Sequence, residues 1–180
     1  MKISFCGAML ALSLFSGIGF AQVPTPPLAT PSSSDVSVSF VLAGRDPSAP
    51  YYGVGGQFTA SHFINDRLGF QVEGDYLRTD IDNMRDAGIR VGPVLRFWTN
   101  HAVQPYVHAL IGYAEIKASY LNPATSFNGA PSILAGGGLD FPLSGGWHGR
   151  VGVDVEQDWT ATGTTVARGV AGISYRFGPR

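Results

Sequence analysis

Asp154, Glu156 and Asp158 stand at alternate positions and are the residues best placed for metal chemistry. Side chains two residues apart on a strand project from the same face, and carboxylate oxygens suit hard cations such as Ca²⁺. Arginines occupy other segments of the chain with the same alternation, and they would pair with these carboxylates. We therefore expect ion pairs here, and no metal or cofactor site.

Lipid hydrolysis is a second chemistry to test, because it needs a nucleophile and a histidine base within hydrogen-bond reach, on the surface that meets the lipid. His62 and His101 fall in short predicted turns, whereas His108 and His148 fall in rows of polar residues. No His-x-Ser sequence occurs. We expect no catalytic residues and no enzymatic activity.

These residues belong to segments in which apolar and polar residues alternate, the pattern of β-strands. Eight such segments lie between Asp35 and Phe177, and no stretch shows helical periodicity. Their apolar rows run for about 9 to 11 residues, the length of a tilted strand that crosses a bilayer. In the fifth segment both rows are apolar, and we assign Val107, Ala109, Ile111 and Tyr113 to the outward face.

The polar rows carry an almost balanced set of charges, with six carboxylates, five arginines and no lysine. They are Glu73, Asp75, Asp140, Asp154, Glu156, Asp158, Arg90, Arg96, Arg150, Arg168 and Arg176. Arginine suits ion pairs held away from bulk water, so we expect a charge network in a lumen, with the apolar rows facing lipid. A soluble periplasmic barrel with the apolar rows inside is the alternative.

A strand can span a bilayer only as part of a closed barrel, because every backbone group must be paired within the protein. We therefore predict an all-β fold, an eight-stranded antiparallel up-and-down transmembrane β-barrel with a polar, plugged lumen. Aromatic residues at the ends of the outward rows predict its interface girdles: Tyr76, Phe97, Trp147, Trp159, Tyr175 and Phe177. Trp147 and Trp159 would lie roughly 30 Å apart along the axis, about the height of such a band.

Three local features carry separate expectations. Pro93 interrupts the fourth segment and predicts a bulge, because proline cannot donate to a ladder. The stretch from Asp80 to Asp86 has three carboxylates and predicts a solvated loop tip. Tyr51, Tyr52, Tyr120 and Phe127 in the longer connections could contact an extracellular ligand or lie at the membrane interface.

The N-terminal region predicts export. Residues 1–21 have the charged start, apolar run and small-residue cleavage site of a secretory signal peptide, and the one cysteine, Cys6, lies inside it. Residues 22–34 form a linker rich in Pro and Ser, and 35–180 form the barrel domain. A formal net charge of -1 gives no reason to expect nucleic acid as a partner.

The chain resembles the small eight-stranded outer-membrane barrels, the OmpA-like transmembrane domain and the opacity-type surface proteins. The resemblance rests on LGFQVEGDY, PYVHALIGYAEI, ILAGGGLDFPL and the closing GISYRF. It implies a monomer in the cell outer membrane that contacts outer-membrane lipid. The last strand resembles the signal read by the barrel-insertion machinery, carried by Gly172, Tyr175 and Phe177. Two departures are Val170, where a polar residue is usual, and the tail Gly178 to Arg180.

The function that this resemblance implies is non-enzymatic, with a structural or surface role in the cell envelope. A loop-mediated adhesin or binding protein is one alternative. A narrow, porin-like protein of low conductance is the other.

Overall fold

The computed structural model describes residues 32–45, 52–79, 85–98, 102–117, 128–159 and 164–178. These contain eight strands: β1 Ser33–Arg45, β2 Tyr52–Phe63, β3 Leu68–Thr79, β4 Arg85–Arg96, β5 Gln104–Lys117, β6 Asn128–Pro142, β7 Trp147–Asp158 and β8 Thr164–Phe177. Every consecutive pair is antiparallel, and β1 also pairs with β8 to close the barrel. The predicted fold class is confirmed. Within the described ranges, no helix is long and apolar enough to cross a membrane.

The register of the strands sets the width of the barrel. The pairing followed once around the barrel from Ser33 passes through Phe63, Gly69, Val94, His108, Gly136, Asp154 and Arg168, and returns to β1 at Ala43. The stagger from position 33 to position 43, over eight strands, corresponds to a strand tilt of about 40° and a diameter of about 16 Å. A barrel of this width is filled by its own side chains.

The apolar rows face outward. Ile89 and Val153 are 64% and 70% exposed, although both lie in the middle of strands. The β5 assignment is also confirmed, because Val107, Ile111 and Tyr113 are exposed and His108 is buried. The fold is thus inverted relative to a soluble protein, with charged side chains inside and an apolar surface outside.

The bulge predicted at Pro93 is wrong. Pro93 pairs with Phe70 of β3 without interruption. Toward β5 the ladder skips only Gly92 and Pro93, and it resumes at Val94 and His108 in the register that it had at Val91 and Ile111. No residue is inserted, so the missing N–H of the proline interrupts one ladder locally and leaves the alternation of faces unchanged.

The two ends of the barrel differ, and we call them the turn end and the loop end. The turn end carries the connections 64–67, 97–103 and 143–146, the first residue of β1 and the last of β8. The loop end carries the other connections. The predicted signal peptide, most of the predicted linker, His101, Tyr51, Tyr120 and Phe127 lie outside the described residues, and Tyr52 is the first residue of β2.

The tail after β8 begins at the turn end with a residue that has to be glycine. Gly178 has φ of 128°, which residues with a side chain rarely adopt. A Cβ atom there would also lie 3.2 Å from the Cα of Ser33. Gly178 therefore lets the chain pass the start of β1 after the barrel has closed.

Candidate functional site in the barrel lumen

Two arginines from opposite walls meet inside the barrel. Arg90 lies on β4 and Arg168 on β8, four strands apart in a ring of eight. Each approaches the same three carboxylates, Glu73, Asp75 and Glu156. We call these five residues the central cluster.

The contacts of the central cluster are direct and buried. Arg90 Nη1 donates to Asp75 Oδ2 at 2.8 Å, and Arg90 also binds Glu156. Arg168 donates to the same Asp75 oxygen at 2.5 Å and to Glu156 Oε2 at 3.0 Å. Glu73, which is 0% exposed, lies 3.7 Å from both guanidiniums and accepts a bond from Gln57. Arg90 Nε donates to Ser132 Oγ, so the cluster spans the bore.

Glycines in the wall make room for these side chains. A Cβ atom at Gly88 would lie 2.6 Å from both terminal nitrogens of Arg90. A Cβ atom at Gly136 would lie 2.0 Å from Asp154 Oδ1. Gly136, the first residue of the triple glycine in β6, therefore leaves space for the Asp154 carboxylate of the neighbouring strand.

A second group of charges lies at the turn end. Asp35 and Asp140 face Arg96, Arg150 and Arg176. One contact is bidentate, with Arg150 donating to both oxygens of Asp140 at 2.8 and 2.9 Å. Arg96 binds Asp35, whereas Arg176 is 3.9 Å from the nearest Asp35 oxygen and is partly exposed. We call this group the turn-end cluster.

Aromatic rings pack against the turn-end cluster. The guanidinium of Arg96 lies 3.8 Å from the ring centroid of Phe63, and that of Arg150 lies 4.6 Å from the ring centroid of Tyr106. Both rings are buried. Cation–π contacts are stronger where water is excluded, so these rings stabilise the arginines and also narrow the bore.

His108 and Asp154 form a further buried pair that is linked to the central cluster. His108 Nε2 lies 3.1 Å from Asp154 Oδ1, and His108 Nδ1 lies 3.4 Å from the side-chain nitrogen of Gln71. Gln71 in turn reaches Glu73 of the central cluster at 3.5 Å. Hydrogen bonds therefore extend from the central cluster through Gln71 to His108 and Asp154.

The lumen also contains apolar side chains, which differs from the polar lumen expected from the sequence. Val41, Ala43, Leu77, Val166 and Val170 form one buried cluster on β1, β3 and β8. Val41 and Val170 are directly opposite each other in the register. This explains the valine at a position where a polar residue is usual, because Val170 packs against Val41 inside the barrel. Leu110 and Leu134 are fully buried on β5 and β6.

The structure adds two carboxylates to the predicted network. Asp35 alternates with the outward Val36 in the first segment, and that alternation was a sufficient signal to find it. Asp86 was predicted to lie in a solvated loop tip, and this is wrong: β4 begins at Arg85, and Asp86 is 8% exposed on the inward face. The rest of that stretch, 80–84, lies outside the described residues.

The remaining predicted network residues also lie inside. Asp158 is buried beside Glu156 at the loop end of β7, and all eleven predicted residues occupy inward positions. Asp154 and Glu156 face His108 and the arginines, respectively. In the described part of the chain, no group of three His, Cys, Asp or Glu side chains could hold a metal ion.

The predicted aromatic residues lie on the exterior, at both ends. Tyr76 and Trp159 are exposed at the loop end, and Phe97, Trp147 and Phe177 at the turn end. Tyr175 packs edge-on between two of them, with ring centroids 5.0 Å from Trp147 and 4.7 Å from Phe177. Sequence reasoning missed Trp98, which is exposed just beyond β4 and has a positive φ of 51°.

The described histidines lie in different environments. His108 and His148 are inside the lumen. His62 is exposed at the turn end, where its Nδ1 lies 2.9 Å from Ser34 Oγ on the neighbouring strand. This cross-strand contact has no signal in the local sequence, because the two residues are 28 positions apart.

Comparison with known proteins gives fold likenesses alone. No protein-family model matches this sequence, and no curated protein sequence is similar to it. Neisserial surface protein A (NspA) has a solved structure with a TM-score of 0.66 and 16% identity, covering 81% of this chain and 97% of that one. OprG from Pseudomonas aeruginosa gives a TM-score of 0.59 at 11% identity, covering 82% and 97%.

Ail, the attachment invasion locus protein of Yersinia pestis, gives a TM-score of 0.52 at 18% identity, covering 83% of this chain and 100% of that one. Identities this low carry the fold and no activity. The closed barrel and these likenesses together confirm the predicted resemblance. The chain has the fold of the small eight-stranded outer-membrane β-barrels.

Proposed function

We propose that this chain is an integral outer-membrane protein with a closed lumen and a structural or surface role. The observation that carries the proposal is the central cluster. Arg90 and Arg168 come from opposite walls and bind the same carboxylates in the middle of the bore. A wide water-filled path cannot pass through side chains that are bonded to each other across the barrel.

The apolar exterior supports the membrane position. An exposed apolar surface that runs around a whole molecule is costly in water and favourable in lipid. The exterior aromatics at both ends fit the two membrane interfaces. Transmembrane barrels have short turns on the periplasmic side and longer loops outside, so the loop end is the cell-surface end.

The proposal includes export by a cleaved signal peptide, insertion by the barrel-insertion machinery and no catalytic activity. The lumen supports the absence of catalytic activity, because its charged side chains form ion pairs with each other. Outer-membrane lipid is the main partner of the exterior.

Gel mobility tests the membrane position. The protein should require detergent for extraction from washed membranes, and it should migrate faster unheated than boiled, because a folded barrel is compact. Extraction by salt or alkali alone, with the same mobility before and after boiling, would instead establish a soluble barrel.

Planar-bilayer recording tests the closed lumen. The wild-type protein should give silent traces, and Arg90→Ser/Arg168→Ser should produce discrete current steps, because it removes the side chains that cross the bore. Arg67→Ser/Arg85→Ser is the matched control with exposed arginines. Steady current through the wild-type protein would exclude the closed lumen.

A further inference from the structure

The three connections at the turn end begin in the same way. Ile64, Phe97 and Leu143 are each the first residue after a strand, and the backbone N–H of each donates to a carbonyl at the start of the next strand, at 2.7 to 2.9 Å. Each stands two residues beyond the last outward residue of its strand, so its side chain continues the outward row. We call these three residues, together with Trp98, the turn tips.

The turn tips form an exposed apolar surface. Ile64, Trp98 and Leu143 are each more than half exposed, and Phe97 is also exposed. Turns that project into water are typically made of Gly, Pro, Asn, Asp and Ser, whereas large apolar side chains are stabilised when they leave water. Four such side chains at one end of the barrel therefore indicate contact with an apolar medium.

The same end carries almost no charge on its outer face. The connections 97–103 and 143–146 contain no Asp, Glu, Lys or Arg, and 64–67 contains one of each sign, Asp66 and Arg67. In the described strands, the three outward positions nearest the turn end carry none of these residue types. Charges on the outer face of a membrane barrel are costly within the bilayer, so this composition fits lipid.

The height of the turn tips fits the edge of a bilayer. Ala87 is opposite Tyr76 at the loop end, and Phe97 follows the same strand at the turn end. From Ala87 to Phe97 the chain covers about 25 Å along the barrel axis at a tilt of about 40°, which is the height of the apolar band of a transmembrane barrel. Tyr76 lies at one edge of this band, so the turn tips lie at the other.

From these observations we propose that the turn end is embedded in the inner leaflet of the outer membrane, with the turn tips against phospholipid at the boundary of head groups and acyl chains. The inference rests on the proposed membrane position, with the loop end at the cell surface. Lipid fits better than a periplasmic protein, because the three connections are two strands apart around the barrel, and Ile64, Phe97 and Leu143 point away from its axis. A medium that surrounds the barrel contacts all of them at once.

Tryptophan fluorescence tests the depth of the turn end. The chain has three tryptophans, of which Trp147→Phe/Trp159→Phe retains Trp98, and Trp98→Phe/Trp159→Phe retains Trp147. Each variant is reconstituted in phosphatidylcholine vesicles, with or without bromine on the acyl chains next to the head group. Trp98 should lose as much fluorescence to the brominated lipid as Trp147, and iodide on both sides of the membrane should quench it less than in the urea-unfolded protein.

Cysteine labelling tests a second turn tip. Cys6→Ser removes the one cysteine of the chain, and Ile64→Cys or Asp66→Cys in this background takes an environment-sensitive fluorophore. The label on Ile64→Cys should emit at a shorter wavelength in vesicles, because it faces lipid. Asp66→Cys is the matched control in the same turn, and its label should emit as in water.

Three results would overturn the inference: quenching of Trp98 by iodide as in the unfolded protein without loss to brominated lipid, water-like emission from Ile64→Cys, or emission from Ile64→Cys that shifts only after a periplasmic extract is added. The third would identify a protein as the occupant. If Trp147 were also insensitive to brominated lipid, the proposed membrane position would fail as well. Gel mobility before heating confirms that each variant has formed the barrel.

Discussion

Replacing Arg90 with methionine should lower the free energy of unfolding by about 3 to 5 kcal/mol, the cost of removing one partner from a buried ion pair. Arg90 is almost completely buried and contacts all three carboxylates of the central cluster. Without Arg90, Arg168 is the one arginine of the central cluster that remains to pair with these three carboxylates. Methionine keeps much of the side-chain volume, so the loss reports charge rather than a cavity.

The matched control is Arg85→Met, five residues earlier in the same strand. Arg85 is exposed on the outer face, and removing an exposed charge costs about 1 kcal/mol or less. The two variants have the same composition and differ only in which face of β4 loses the guanidinium. Their difference therefore measures the burial of the ion pairs.

Urea unfolding in detergent micelles, followed by tryptophan fluorescence, measures the effect. With a slope of about 2 kcal/mol per molar, a loss of about 4 kcal/mol moves the midpoint by about 2 M. Glu156→Gln in the Arg90→Met background should recover part of the loss, because it removes a carboxylate that has lost one of its arginine partners.

Equal midpoints for Arg90→Met and Arg85→Met would refute this reasoning. They would mean that water in the lumen solvates the cluster well enough to replace the arginine. The proposal of a closed lumen would then lose its main evidence.

Three further predictions concern the wall, the apolar lining and assembly. Gly55→Ala should prevent folding, seen as loss of the fast-migrating band of the unheated protein, because the new Cβ would lie 1.9 Å from a carbonyl oxygen of β3. Gly56→Ala should fold, because its Cβ would lie 3.8 Å from the nearest atom. Equal folding of the two variants would contradict this packing. Leu77→Ala should lower the free energy of unfolding in urea by about 2 to 3 kcal/mol, because Leu77 is buried in the lumen. Leu42→Ala, on the outward face, should lower it less. Equal losses would show that water fills the lumen around Leu77. Phe177→Ala should slow insertion of the barrel into liposomes that contain the insertion machinery. An unchanged insertion rate would show that Phe177 is not part of the assembly signal.

The closed barrel was predictable because alternation is local. Each residue of a strand faces the side opposite to its neighbours, so a run such as Leu68 to Tyr76 shows its two faces without any knowledge of the partner strand. The near balance of charge then indicated which face was inside. Even β5, apolar on both faces, was assigned correctly by extending the same alternation.

Two of the three exceptions, at Pro93 and Val170, depended on a neighbouring strand. Pro93 needed no bulge, since the β5 ladder could lose pairs without changing register. Asp86 was assigned to a loop because its acidic surroundings in the sequence outweighed its alternation with the outward residues of β4. Val170 looked anomalous until Val41 was found opposite it.

The sequence by itself determined the strands, their inward and outward faces and most of the charges that the lumen contains, since these follow from residue type and a period of two. Only the tertiary structure decided which charge meets which. Arg90 binds Glu156, 66 residues away, because the stagger of the closed barrel brings β4 and β7 to the same height.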